Sequence, residues 1–418
     1  MPVSFGHPHD AIDWGVVLVF AVVYLGMFLG GLPRLKLDRA GVALLGAIAV
    51  IGIGALDTQQ AAQAVDLPTV LLLFSFMVVS AQMRLGGFYG AITAGVAKLP
   101  LAPVGLLAVL LVVAALLAAV FSNDIVCLAM TPIVARLCLT RRLPPLPFLV
   151  GLACAANIGS ALTLIGNPQN MLIGSVMRLG FADYLRAALL PVALSLLFLW
   201  LWLSWQLQRR PVGGSPPPAG AQAGDGNDDA PPFDRWQTVK GLLVAGTLLV
   251  VFLFTDWPRE VAALIAAGVL LLSRRFHSSH VLGFVDWELL VLFIGLFVVN
   301  AAFEHTGLAA EAVAYLATRG VHLQEAGPLL VITVLLSNLV SNVPAVMLLL
   351  PHVEGAPAAT LLALASTFAG NLLLVGSIAN LIVVDLAQKS GIDIDWLDHA
   401  RIGLPVTLVS LAIVAMLV

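Results

Sequence analysis

The sequence predicts an all-α polytopic membrane protein made of two inverted-topology repeats, each with five transmembrane helices plus one re-entrant hairpin. Three observations predict it. Only 10% of the 418 residues are charged and 60% are hydrophobic, against roughly 25% and 45 to 50% in soluble domains. Apolar runs follow one another from Trp14 to the C-terminus, with one polar gap near the middle. Charged and amide residues in the two halves recur at a nearly constant separation.

Crossing ~30 Å of hydrocarbon at ~1.5 Å per residue takes about 20 mostly apolar residues. Ten segments approach that length: 14–31, 40–56, 67–85, 147–177, 185–207, 237–255, 259–273, 287–303, 358–388 and 401–418. Two more, 103–138 and 327–351, are each interrupted by Ser-Asn. In the second, residues 328–340 reach only ~20 Å. Both stretches are therefore expected to enter and leave on one face, which the bilayer allows only where protein or a water-filled cavity surrounds the tip. Residues 103–121 are long enough to span, so the first hairpin rests on symmetry with the second.

That symmetry is written in the residues. Arg39-Ala40-Gly41-Val42-Ala43-Leu44 faces Arg259-Glu260-Val261-Ala262-Ala263-Leu264, and Val65-Asp66 faces Val285-Asp286, 220 positions on. Ser122-Asn123 meets Ser341-Asn342 at 219, and Leu164-Ile165-Gly166-Asn167 with Asn170 meets Leu374-Val375-Gly376-Ser377 with Asn380 at 210. The expected organisation is a first repeat, 1–207 (hairpin 103–138, broken helix 147–177), a disordered cytoplasmic linker, 208–236, and a second repeat, 237–418 (hairpin 327–351, broken helix 358–388). The linker's Pro, Gly and Asp mixture cannot bury enough apolar surface to fold.

An odd number of spans per repeat inverts the second copy. With the N-terminus outside, fifteen basic residues fall on the cytoplasmic side, four (Arg178, Arg186, Arg259 and Arg319) fall outside, and Arg84 sits at a helix end, accounting for all 20. This satisfies the positive-inside rule for both halves and puts both termini outside an inner (plasma) membrane, with the lipid bilayer as the surrounding partner. No Lys or Arg precedes the first apolar run and no cleavage site follows it, so that span is expected to stay attached. A formal charge of -3 without a basic stripe excludes a nucleic-acid partner. Cys127, Cys138 and Cys154 lack CxxC spacing and read as small core residues.

Four breaks carry the candidate chemistry: Ser122-Asn123-Asp124, Gly166-Asn167-Pro168-Gln169-Asn170, Ser341-Asn342-Val343-Pro344 and Gly376-Ser377-Ile378-Ala379-Asn380. Glycine permits unusual backbone angles, proline removes a donor, and Ser and Asn offer neutral oxygens. Such oxygens suit a hard cation, while the helix N-termini after each break present N–H groups to an anion. The plainer alternative is that Ser and Asn only cap the turns.

Asp124 is the one carboxylate placed deep, as coupling-ion ligand or proton carrier, or else as N-cap of the second hairpin arm. Asp385 reads equally as water-facing or as part of a site. Asp66, Asp286 and Glu304 fall near span ends, where capping or solvation is the default. Asn157, Ser160 and Thr163 either line the cavity or pack within the helix, and Cys127 is a remote candidate thiol for a soft metalloid. All eight histidines are expected outside the apolar cores or at their edges, which leaves no metal cluster or catalytic dyad. With neither GxxxxGK[ST] nor DKTG present, an ATP-driven pump is excluded, and nothing points to an enzyme.

Together with Thr131-Pro132 and Leu381-Ile382, these four motifs resemble the ion transporter superfamily of arsenite permeases, related sodium/proton antiporters, citrate-metal transporters and sodium-coupled dicarboxylate carriers. The resemblance covers nearly the whole chain apart from the linker. It implies a scaffold domain that dimerises, hence a homodimer, and a transport domain that moves like an elevator. Carried over by position, Ser122, Asn123, Gly166, Asn167 and Asn170 form one ion site, and Ser341, Asn342, Gly376, Ser377 and Asn380 its inverted partner. Sodium candidates are Ser122, Asn123, Asn167, Asn342 and Asn380. In the dicarboxylate branch both tips read Ser-Asn-Thr. Here the third positions are Asp124 and Val343, and Asp124 with the run containing Gln169 looks more like the arsenite-permease branch.

The expected function is a secondary active transporter for a small anionic or metalloid solute, coupled to sodium or protons, with arsenite-type efflux as one form. No other cofactor is expected. The alternatives are a sodium/proton antiporter, a sodium-coupled di- or tricarboxylate transporter and, from another class, an anion channel.

Overall fold

The computed structural model describes residues 11–31, 35–209 and 233–418. Most of the expected linker and the extreme N-terminus lie outside the described residues. The first half runs α1 (Ala11–Leu29), α2 (Arg39–Gly52), α3 (Thr58–Ala64), α4 (Leu67–Leu85), α5 (Phe88–Lys98), α6 (Pro103–Phe121), α7 (Asn123–Arg141), α8 (Pro145–Ser160), α9 (Pro168–Val176) and α10 (Phe181–Arg209). The second runs α11 (Arg235–Phe254), α12 (Arg259–Leu271), α13 (Ser278–Leu282), α14 (Trp287–His305), α15 (Leu308–Thr318), α16 (Ala326–Val340), α17 (Asn342–Leu349), α18 (Gly355–Ala369), α19 (Ile378–Lys389) and α20 (Trp396–Leu417). The short helices α3, α5, α13 and α15 were not expected from the sequence. They too start at matched positions, 58 with 278 and 88 with 308.

Aspartates start many of these helices. Asp38, Asp57, Asp66, Asp234, Asp286 and Asp395 each accept a backbone N–H in the first turn, satisfying a donor that would otherwise lack a partner. The expectation that Asp66 and Asp286 cap helices holds: they accept from Thr69 N and Leu289 N at 2.9 Å.

Among the described residues, eight helices are long and apolar enough to cross a membrane. Six match expected spans, and the other two are α6 and α7, the arms of the first interrupted stretch. Both arms have 19 residues, so length leaves either arm able to cross. The second pair is shorter, with 15 and 8 residues. Helices α2 and α12, with 14 and 13 residues, reach only ~20 Å and are shorter than the segments expected there.

Two bundles emerge from the packing. One gathers α1–α4 and α11–α14, the other α6–α10 and α16–α20. The first is held by exchange between halves, with α2 against α14 and α12 against α4. Small residues allow the approach: a Cβ on Gly295 would overlap the Ala43 backbone, and one on Gly46 would overlap Val23 and press on Val299. In the second bundle a Cβ on Gly159 of α8 would overlap the Ala115 backbone of α6.

Gly295→Ala should therefore lower the thermal midpoint of the purified protein, by an amount equivalent to about 1–3 kcal/mol of overpacking. Gly268→Ala, where nothing lies within 4 Å, should leave it unchanged, and differential scanning fluorimetry in one detergent compares the two.

Candidate functional site

The two Ser-Asn tips share an uncommon backbone. Ser122, between α6 and α7, has φ 82°, and Ser341, between α16 and α17, has φ 78°. Positive φ in a non-glycine residue costs on the order of 1–3 kcal/mol and persists only where the surroundings enforce it. Neither tip has a side-chain cap, so no capping side chain meets the first N–H groups of α7 and α17. The other two breaks are capped: Asn167 accepts from Asn170 N at 2.9 Å and starts α9, while Ser377 accepts from Ala379 N at 3.2 Å and starts α19.

Asn157 on α8 joins these elements. Its Oδ1 accepts from Asn123 Nδ2 at 2.9 Å and from Ser377 Oγ at 3.1 Å. Its Nδ2 donates to Asn371 Oδ1 at 2.9 Å and to Asn380 Oδ1 at 3.2 Å. One buried amide thus ties the first tip to the broken helix of the second half. Thr367 on α18, 210 positions beyond Asn157, makes the reciprocal link, accepting from Asn167 Nδ2 at 3.3 Å and Gln169 Nε2 at 3.2 Å.

Each break is also braced from the last helix of its own half. Tyr184 on α10 donates to the Ala161 carbonyl at 2.8 Å and accepts from Asn170 Nδ2 at 3.0 Å. His399 on α20 reaches the Asn371 carbonyl through Nε2 at 3.0 Å. A carbonyl only accepts, so Nε2 carries the hydrogen. Because α20 begins at Trp396 rather than at 401, His399 is drawn inside with 1% exposure. This corrects the expectation that every histidine lies outside the apolar cores.

Glycines allow the breaks to close on themselves. A Cβ on Gly166 would overlap the Ser160 backbone, and Gly376 lies against Asn338 Oδ1 and the Gly370 carbonyl. Asn380 Nδ2 donates to that Gly370 carbonyl at 2.8 Å, and Gly370 also neighbours Asn342 Nδ2 and Ser377. Val343 is buried with the apolar core.

The buried side-chain atoms left without partners around the breaks are mostly oxygens, Asn123 Oδ1, Asp124 Oδ1, Asn342 Oδ1, Asn170 Oδ1 and Asn338 Oδ1, together with one donor, Asn371 Nδ2. Unpaired polar atoms at depth are costly, and neutral oxygens are the donor chemistry that a hard cation takes.

A cavity of about 200 Å³ opens beside the first tip. It is bounded by Phe76, Met77, Ser80 and Arg84 of α4, Ser122 and Asp124 at the tip, Pro168 of α9, Asp286 at the start of α14, and Ile378 and Ile382 of α19. Asp124 occupies the second position of α7 rather than its cap, which Ser122 supplies. There the helix dipole favours its charge. Arg84 stacks on Phe284 with 4.7 Å between the guanidinium carbon and the ring centroid. Ser80 donates to the Phe121 carbonyl at 2.8 Å, fixing α4 to the end of α6.

The structure therefore gathers Asn123, Asn167, Gln169, Asn170, Ser377 and Asn380 into one hydrogen-bonded network, places Ser122 and Asp124 on the cavity wall, and sets Gly166, Gly376 and Asn342 against its backbone. Asp385 is not brought in; it pairs with Lys389 at 2.7 Å on an exposed face. Cys127 is buried. Thr367, Asn371, Tyr184 and His399 escaped the sequence reading. The repeat contained the signal, since 210 positions take Asn157 to Thr367 and 215 take Tyr184 to His399.

A family model described as citrate transporter matches residues 29–367. A silicon efflux transporter of Oryza sativa subsp. japonica is 30% identical over 95% of both chains. An inner membrane protein, YbiR, of Escherichia coli strain K12 is 29% identical over 78% of this chain and 81% of its own. A putative transporter, arsB, of Dictyostelium discoideum is 23% identical over 91% and 87%.

Asn157→Ala strips partners from four buried polar groups and should destabilise the protein by about 3 kcal/mol or more; Thr367→Val should cost less. Ser122→Gly and Ser341→Gly should each raise the unfolding midpoint by the equivalent of about 1 kcal/mol, because glycine adopts positive φ without strain. Thermal unfolding of the four variants checks both expectations.

Proposed function

The chain belongs to the citrate transporter family, and on that premise we propose that it is a secondary active carrier moving a small anionic or metalloid solute across the inner membrane, driven by sodium or protons. The observation that carries this reading is the meeting of three helix breaks at Asn157 and Thr367 beside a small cavity, with the fourth, at Asn342, set against Gly370. Uncapped N–H groups suit an oxyanion or a neutral hydroxide, and unpaired amide oxygens suit a cation. One site can then bind solute and driving ion together.

The matched start points of the ten described helices in each half, and their exchanged packing, support repeats, and the distribution of basic residues supports an inverted arrangement with both termini outside. In that arrangement α1–α4 with α11–α14 act as a fixed scaffold, through which two copies of the chain associate. The bundle holding the breaks moves against it as an elevator, carrying the site across the membrane.

The cavity favours a small solute. Its 200 Å³ corresponds to about six or seven waters of liquid volume, and most of its wall is apolar. The relative described as a silicon efflux transporter supports efflux of a compact hydroxide or oxyanion such as arsenite or silicate. A second reading, sodium/proton exchange without a separate solute, draws on Asp124, a carboxylate with an unpaired oxygen on the cavity wall.

Reconstituted vesicles with imposed sodium or proton gradients decide between them. Wild-type protein should move arsenite, silicate or another small oxyanion from the same panel only when a gradient is present. Asp124→Asn should still bind the solute but reduce gradient-driven accumulation at least tenfold. Undiminished coupled transport in that variant would remove Asp124 from the coupling step, and sodium-driven proton flux without solute would favour the exchanger.

A further inference from the structure

The two halves match in sequence, yet one face of the molecule is fastened and the matching face is not. At the end of α9, Arg259 of α12 donates to the Gly174 carbonyl at 2.8 Å, and Ser175 Oγ donates to Asp66 at 3.0 Å. Both contacts join the bundle holding the breaks to the other bundle. In the repeat, Arg259 corresponds to Arg39, Asp66 to Asp286, Gly174 to Val384 and Ser175 to Asp385. None of the corresponding contacts is made. Arg39 Nε is buried without a partner, Asp286 lines the cavity, and Asp385 turns to its own Lys389.

Packing repeats the asymmetry. Helix α9 lies along α4, whereas α19 makes no comparable contact with α14; α17 packs on α14, whereas α7 makes none comparable with α4. The 200 Å³ cavity lies on this open side, beside the start of α7. On the closed side Tyr24 of α1 donates to Asn300 Oδ1 at 2.9 Å and lies 3.3 Å from the Pro344 carbonyl. Leu128 lines the cavity, while its counterpart Met347 is buried.

We propose that Arg259 and Arg39 are paired latch residues of alternating access: Arg259, with Asp66, holds the α9 face shut here, and Arg39 shuts the α19 face in the opposite state by engaging the Val384 carbonyl and Asp385. This rests on the transporter reading above. When two matched units exchange roles, each takes up contacts that the other makes now; of the two here only the arginine–carbonyl contact carries over, because the counterpart of Ser175–Asp66 would set Asp385 against Asp286. A charge-assisted bond from a guanidinium to a carbonyl is strong enough to bias such an equilibrium by about tenfold. Asp385 at the serine position adds an anion for Arg39, so the second latch is an ion pair.

Cysteine reporters at the two counterpart positions test this without any solute. Leu128→Cys and Met347→Cys are introduced separately into the full chain, reconstituted in lipid nanodiscs, and labelled with a hydrophilic maleimide. The three buried native cysteines give the background rate. With Arg259 present, Leu128→Cys should react quickly and Met347→Cys slowly. Adding Arg259→Ala should slow the first and speed the second, each about tenfold. Adding Arg39→Ala as well should move both back toward the starting rates.

A rise in both reporters together would mean that Arg259 merely holds the fold tight, and would overturn the latch. So would rates that ignore Arg259 while gradient-driven transport is intact. Absence of gradient-driven transport in wild-type vesicles would instead fail the transporter reading, whatever the reporters do.

Discussion

The constraint on which the rest of the structure depends is that a backbone N–H or C=O at membrane depth must find a partner inside the protein. An unbroken helix meets it by itself. This chain breaks its helices at four places, and at each the freed groups have to be met from elsewhere. Asn157 and Thr367 bind across the two halves, and Tyr184 and His399 hold the carbonyls that the breaks expose. The polar centre is thus a consequence of the breaks. It leaves unpaired several oxygens, one amide donor on Asn371 and two helix starts that no side chain caps.

Packing around that centre divides into two bundles. Small residues let α2 and α14 approach until backbone meets side chain, which makes the first bundle rigid. The bundle holding the breaks has its own close contact, at Gly159 against Ala115. Between the bundles the side-chain connections include polar ones: Arg259 to Gly174, Ser175 to Asp66, Tyr24 to the Pro344 carbonyl. Contacts of this kind exchange for water or for one another at modest net cost, whereas interdigitated apolar surfaces do not.

The family supplies the class of activity and the site supplies its limits. Among the described residues lining the cavity, Asp124 and Asp286 are the anions and Arg84, stacked on the Phe284 ring, the cation. On the reading proposed above, that wall suits a compact solute with hydroxyl groups to donate better than a long di- or tricarboxylate. The departure of the tips from Ser-Asn-Thr points the same way.

Much of this was legible in the sequence because it is periodic or compositional. Apolar length gave the membrane class, Gly, Pro, Ser and Asn marked all four breaks, and the offset between Arg39 and Arg259 gave the repeat. Three things needed the tertiary structure. That α7 matches α6 at 19 residues, so that either can cross, was not read from the sequence, where only 103–121 looked long enough. Which buried polar residues join the site was hidden because Thr367 and His399 look like ordinary helix residues until Asn167 and the Asn371 carbonyl are brought against them. The difference between the two faces could not be read at all: Arg39 and Arg259 stand at matched positions of the sequence, and only the folded chain shows that Arg259 reaches the Gly174 carbonyl while Arg39 makes no such bond to Val384.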